Sequence, residues 1–283
     1  MRRGAVVLCG GRSTRMGRDK ASLPFRGESL LARVVRRVSA AVDEVVVVGR
    51  PGQELPALPP SVRIAHDEVH DRGPLGGLSP GLRAARADAV FATACDAPFV
   101  TRAVIDHLFA RLGGADVAIV FEDGRACPLC AVYRTSVAPR VERLLRENRL
   151  RPVFLLDEIP WVRVDAAELR TVDPDLRSLM NCNTPEAYEA ALAAAGPSVT
   201  VEFYDVARLR AGVASIEVEA ATLGDALREA AARVPSLVPD VIRDGRLVEH
   251  WRANVDGDAF VEDPATPLRN ESSVLLLSAQ AGG

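Results

Sequence analysis

At 283 residues the chain has room for one large domain or two ordinary ones. Its 48% hydrophobic and 26% charged residues are those of a globular protein, and a net charge of −3 gives no reason to expect nucleic acid or an acidic membrane surface as a partner. No apolar run approaches the ~20 residues that span a bilayer, and the run after Met1-Arg2-Arg3 is too short for a signal peptide; the expected location is the cytoplasm.

In chain order, Val- and Ile-rich runs at 5–9, 44–49, 62–65, 89–95, 117–121 and 129–133 predict strands buried on both faces. Helical patterns at 29–42, 76–87, 102–112 and 136–147 fall between them. This alternation predicts an α/β fold with a mainly parallel sheet and helices on both faces. Thr184-Pro185-Glu186 starts a last helix, with Thr at the cap and Pro in the first turn, running to about residue 195. Gly196-Pro197-Ser198 then stops it and reads as a linker, so that residues 1–196 and 199–283 are expected to be separate domains. Beyond the linker, strands at 199–203 and 214–218, a helix at 223–233 capped by Thr222, and short strands at 246–248, 250–255 and 274–277 predict a small α+β domain.

The five cysteines are scattered and odd in number, which does not make a disulfide framework. Cys127 and Cys130 form one CxxC, but no second pair supplies the remaining ligands of a zinc site, and the motif runs into a strand. Both are therefore read as core residues.

Gly10, Gly11 and Gly17 surround polar and basic residues directly after the first strand. Glycines let backbone N–H groups turn towards a polyphosphate, Arg12, Arg15, Arg18 and Lys20 add positive charge, and the end of a parallel strand is where open α/β sheets bind ligands. The spacing fits neither a Walker A loop nor GxGxxG. Lys20 is the only lysine in the chain, every other basic side chain of this type being arginine. A compact ammonium on a flexible stem and a planar guanidinium are not interchangeable at a tight phosphate contact, so a lone lysine at the end of this loop is a candidate phosphate ligand.

The segment Leu8-Cys9-Gly10-Gly11-Arg12-Ser13-Thr14-Arg15-Met16-Gly17-Arg18-Asp19-Lys20 resembles the nucleotidyltransferases that activate sugars and cofactors with a nucleoside triphosphate, and its Gly-Gly pair points to the molybdenum cofactor guanylyltransferases, the MobA family. Arg72-Gly73-Pro74-Leu75-Gly76-Gly77-Leu78, Ala94-Cys95-Asp96-Ala97-Pro98-Phe99 and Asn181-Cys182-Asn183-Thr184-Pro185-Glu186 resemble further segments of that family, in its order, over residues 4–195. The resemblance implies a Rossmann-like nucleotidyltransferase domain that transfers GMP from GTP to molybdopterin and releases pyrophosphate with Mg²⁺. It implies nucleotide contacts from Leu8, Cys9, Gly10, Gly11, Lys20, Asp67 and Asp96. Arg15 and Lys20 would clamp the triphosphate, Asp96 would hold the metal, and Asp67 would contact the guanosine. Asn183 would either complete the metal shell or cap the last helix. Cys9 stands where the family commonly has Ala, and Val48 or Gly49 where it often has an Asn, which leaves base recognition at that position open.

The chain closes on Gly282-Gly283, and residues without Cβ can thread into narrow sites. With Val199-Thr200-Val201-Glu202-Phe203 at the front and Asn254-Val255-Asp256-Gly257 further on, residues 199–283 resemble the ubiquitin-like sulfur carriers, the small subunit of molybdopterin synthase (the MoaD family). That resemblance implies a β-grasp fold and a Gly283 carboxylate that an activating enzyme adenylates and that becomes a thiocarboxylate. It further implies the large molybdopterin synthase subunit as partner. Other readings stay open: cytidylylation of the same cofactor, guanylylation of another phosphate acceptor, and a second domain that only docks.

Overall fold

The computed structural model describes residues 1–9, 19–67 and 73–278. The chain divides into two compact units. The first takes in the chain up to Leu23 together with Ser29–Ala191, and the second takes in Pro24–Glu28 and the chain from Leu192 onward.

The first unit is a three-layer α/β structure. Its strands are β1 (Arg3–Leu8), β2 (Glu44–Gly49), β3 (Arg63–His66), β4 (Ala89–Ala94), β5 (Val117–Glu122), β6 (Arg125–Arg134) and β7 (Trp161–Asp165). They form one sheet in the order β3-β2-β1-β4-β6-β5-β7. Neighbours are parallel except where β6 runs against β4 and β5. Helices α1 (Leu30–Ser39) and α3 (Arg102–Leu112) cover one face, and α2 (Gly73–Ala84) and α4 (Ala138–Arg146) the other. Alternate residues of β1 feed the two cores: Ala5 and Val7 pack with Leu31 and Val34 of α1, Val6 and Leu8 with Leu78 and Leu82 of α2. Burial on both faces is why these strands read as continuous apolar runs.

Two glycines let α2 lie close on β1. A Cβ at Gly77 would stand 3.1 Å from Leu8 Cδ1, and one at Gly81 only 2.4 Å from Val6 Cγ1. The pairing register sets Leu8 opposite both Val48 and Ala94, so that β1, β2 and β4 end level with one another.

The structure departs from the sequence reading in a few places. The edge strand β7 was not expected, because Val164 is its one fully buried side chain and the run is short. Strand β6 begins at Arg125, four residues before the expected run, and Cys127 and Cys130 both lie in it. Its register against β5 shifts there, with Val120 opposite Cys127 and Ile119 opposite Ala131. Pro128, which cannot donate to a ladder, occupies the irregularity. Cys130 is buried as expected, whereas Cys127 is only half-buried.

The second unit carries β8 (Ser198–Phe203), β9 (Ser215–Glu219), β10 (Trp251–Val255), β11 (Ala259–Val261) and β12 (Ser273–Ser278) in the order β9-β8-β12-β10-β11. The central pair β8 and β12 is parallel and all others are antiparallel. Residues Val199, Val201 and Phe203 point to one face, where Leu223, Leu227 and Ala230 of the helix Leu223–Arg233 cover them. Thr222 caps that helix, its hydroxyl accepting from the Asp225 N–H at 3.2 Å. A short helix, Asp205–Ala211, joins β8 to β9 where the sequence reading had strand follow strand. Ala207 is its one buried residue while Leu209 is 83% exposed, so it shows no apolar stripe. Among the described residues no helix is long and apolar enough to cross a membrane.

Gly81→Ala is expected to destabilise the chain by about 1–3 kcal/mol in urea unfolding, the usual cost of overpacking. Helix propensity alone would make the same change stabilising by about 1 kcal/mol, so a raised midpoint would show that α2 does not depend on this close approach.

Candidate active site

The level ends of β1, β2 and β4 open into a cavity of about 410 Å³. Of the residues expected at a nucleotide site, Leu8, Cys9, Lys20, Asp67, Asp96 and Asn183 all line it. Gly10, Gly11 and Arg15 lie outside the described residues, as do Gly282 and Gly283 of the C-terminal segment.

Lys20 organises this cavity. Asp19 is the N-cap of a single 3-10 turn, Lys20–Ser22, and its Oδ1 accepts from the Ala21 N–H at 3.0 Å. From that turn the Lys20 ammonium donates to Asp96 Oδ2 and to Asn183 Oδ1, each at 2.8 Å. Asp96 is 5% exposed. Residues 76 and 163 positions away from Lys20 are thus brought to one cation. Backbone bonds lock the convergence: Cys95 N–H donates to Leu8 O and Cys182 N–H to Asp96 O, both at 2.9 Å. Of the two roles open to Asn183, helix capping falls to its neighbour. Thr184 accepts from the Ala187 N–H through its hydroxyl at 3.2 Å, at the start of the helix Pro185–Ala194.

A buried arginine holds the turn after Asp96. Arg33, on α1, is fully buried, and its Nε donates to Pro98 O at 2.9 Å. Phe99 then lies against two guanidinium groups, 4.2 Å from Arg177 and 6.0 Å from Arg33. Arg177 and Ser178 are fixed in turn by the buried Asp173 carboxylate, which accepts their backbone N–H groups at 3.1 and 2.8 Å.

Asp67 follows β3, and its N–H donates to Gly49 O at 2.9 Å, which brings it to the same sheet edge. Gly73, Pro74 and Gly77, from a motif whose sequence carries no individual role, form the start of α2 and line the cavity. A helix start favours a negative charge. Asn181 also lines the wall, and its motif was visible in the sequence. Leu129 and Val48 line it as well, and an apolar residue in a strand gives no signal of that kind.

Cys9 and Cys95 line the cavity, and several thiols in the first unit are shifted up. A hydrogen bond from Cys9, then burial, pushes the Cys95 thiol well up. Burial, then the Asp96 carboxylate, pushes Cys182 up to about 12, partly offset by Lys20. Burial likewise raises Cys130 and, less, Cys127.

A model of the MobA-like NTP transferase domain matches residues 5–166. The chain belongs to this family. A probable molybdenum cofactor guanylyltransferase of Methanosarcina mazei is 36% identical over 200 residues, 66% of this chain and 88% of that protein. One of Mycobacterium tuberculosis is 40% identical over 186 residues, 63% of this chain and 88% of its own. A crystal structure of molybdopterin-guanine dinucleotide biosynthesis protein A from Archaeoglobus fulgidus aligns with a TM-score of 0.57 at 26% identity, covering 68% of this chain and 97% of that one. This chain is accordingly a nucleotidyltransferase with a Rossmann-like, mostly parallel sheet.

In this MobA-like transferase, iodoacetamide at pH 8 should alkylate Cys127 first. A thiol with a pKa of about 12, as at Cys182, is thiolate in only about one molecule in ten thousand at that pH. Peptide mass analysis should find Cys95, Cys130 and Cys182 modified only in denaturant, and early modification of Cys182 would contradict its burial.

Proposed function

We propose that the first unit transfers GMP from GTP to the terminal phosphate of molybdopterin, in the biosynthesis of the molybdenum cofactor. The observation that carries this reading is the Lys20 ammonium held between Asp96 and Asn183 at the ends of β1 and β4. The relatives named for guanylyl transfer to that cofactor support it. An acceptor phosphate oxygen attacks the α-phosphorus of GTP, the bond to the β-phosphate breaks, and pyrophosphate leaves. Such a reaction asks the protein mainly for alignment and for charge at fixed positions. Lys20 turns from Asp96 to the triphosphate, where Arg15 joins it. In this reading Leu8, Cys9, Gly10 and Gly11 contact the nucleotide, the start of α2 favours its negative charge, and Asp67 takes the guanosine. Of the two residues that stand where the family often has an Asn, Val48 lines the cavity with only methyl groups and Gly49 has no side chain, so neither offers a polar substitute.

The donors fit a magnesium ion. Asp96 and Asn183 already direct two hard oxygen atoms at one cation, here the ammonium, and oxygen is what Mg²⁺ prefers. Asp96 would hold it with Asn183, and when bound it neutralises charge at the α-phosphate.

For the second unit we infer a ubiquitin-like sulfur carrier. Its support is the strand order β9-β8-β12-β10-β11, with first and last strands parallel at the centre and the helix Leu223–Arg233 packed across one face, as in a β-grasp. In this reading the Gly283 carboxylate attacks the α-phosphorus of ATP on an activating enzyme and pyrophosphate leaves, a donor's sulfide-level sulfur then displaces AMP to give a thiocarboxylate, and this delivers its sulfur in the large molybdopterin synthase subunit. Thiols such as the Cys9–Cys95 pair suit a reducing, cytoplasmic setting.

Lys20→Arg and Asp96→Ala are each expected to lower pyrophosphate release from GTP and molybdopterin by about tenfold or more; wild-type turnover in either would remove these residues from the site. Incubation with ATP, an activating enzyme and a sulfur donor should shift the intact mass by replacement of one oxygen with sulfur, and an unchanged mass would leave the second unit a docking module.

A further inference from the structure

Asp19 has partners that the transfer reaction does not require. After β2 the chain turns through Arg50-Pro51-Gly52-Gln53, with Gly52 at φ +72° and Gln53 N–H donating to Arg50 O at 3.1 Å. Pro at the second position and Gly with positive φ at the third make a type II turn. The Gln53 side chain folds back over it. Its Oε1 accepts from the Arg50 N–H at 2.9 Å, and its Nε2 donates to Asp19 Oδ2 at 2.8 Å, with Cys9 O a further 3.5 Å contact. The Arg50 guanidinium stands 3.5 Å from the same Asp19 oxygen. Gly49 leaves room for this fold, since a Cβ there would come within 3.2 Å of Gln53 Oε1.

The Asp19 carboxylate is therefore fully committed. One oxygen caps the turn that carries Lys20, and the other is held by the β2 loop. Rotation of this carboxylate would release the Ala21 N–H and with it the turn. Lys20 spans from that turn to Asp96 and Asn183, and a long flexible side chain reaches a fixed point only from a fixed backbone.

We propose that Gln53 is a positioning residue for Lys20, acting through Asp19, and so sets the affinity of the site for a triphosphate. The affinity clause rests on the nucleotide reading of the cavity; the positioning clause does not. The chemistry needs an amide. A glutamate of the same shape would set a second carboxylate against Asp19 in place of the N–H donor.

Because Lys20 is the only lysine, acylation by an amine-reactive ester reports on it directly when read by peptide mass, separately from the N-terminus and with no nucleotide present. In the full chain Gln53→Glu should speed Lys20 acylation by about fivefold or more, while the double variant Asp19→Asn/Gln53→Glu, which restores an amide–carboxylate pair with the roles exchanged, should return to about the wild-type rate. The KM for GTP should follow the same order, with kcat changed less than KM. The thermal midpoint should stay near wild type, since both side chains are only half-buried and neither belongs to the apolar core. Equal acylation in wild type and Gln53→Glu, or a double variant as fast as the single one, would overturn the proposal. A lowered midpoint that the double variant does not restore would show a merely structural role. Acylation that follows the predicted order in a chain that does not use GTP would retain the positioning role and reject the nucleotide reading.

Discussion

A carboxylate that is 5% exposed needs a cation, and in this fold Asp96 has Lys20. Removing one partner from such a buried pair typically costs on the order of 3 kcal/mol, because the remaining charge is left uncompensated. The pair is thus a structural constraint before it is a chemical one. It ties the segment after β1 to the segment after β4, and through Asn183 it draws in the stretch before the last helix of the first unit. The same constraint suits the proposed chemistry. In that proposal the carboxylate would exchange the ammonium for a divalent cation, and the ammonium would meet phosphate oxygens.

The rest of the first unit keeps this pair at a sheet edge. Parallel pairing brings the ends of β1, β2 and β4 level. Gly77 and Gly81 let α2 settle on β1, which sets the start of that helix on the cavity wall. Arg33 and Phe99 hold the turn after Asp96 from the opposite face of the sheet. Apolar packing on both faces sets the strand ends, and the polar contacts hold the turns beyond them.

Much of this was legible in the sequence because the motifs are local. The strand ends, the Asp after β4 and the Thr-Pro helix start each carry their signal within a few residues, and Lys20 announced itself by being alone. What was not legible depends on distant partners. Arg33 reads as one of several arginines on an amphipathic helix, and only the fold shows it buried against Pro98. Gln53 meets Asp19 across 34 positions, with no pattern linking them. Asn183 could not be assigned from its motif alone, since Thr184 offers the same capping chemistry one residue on. The edge strand β7 and the short helix after β8 escaped because each buries a single side chain fully.

The central claim is that this cavity selects a guanine nucleotide and joins it to a pterin phosphate. Pyrophosphate release measured with GTP and with CTP, molybdopterin present in both, tests it most directly. Turnover with GTP and little with CTP is the result predicted. Equal use of the two nucleotides, or no release with either, would contradict it.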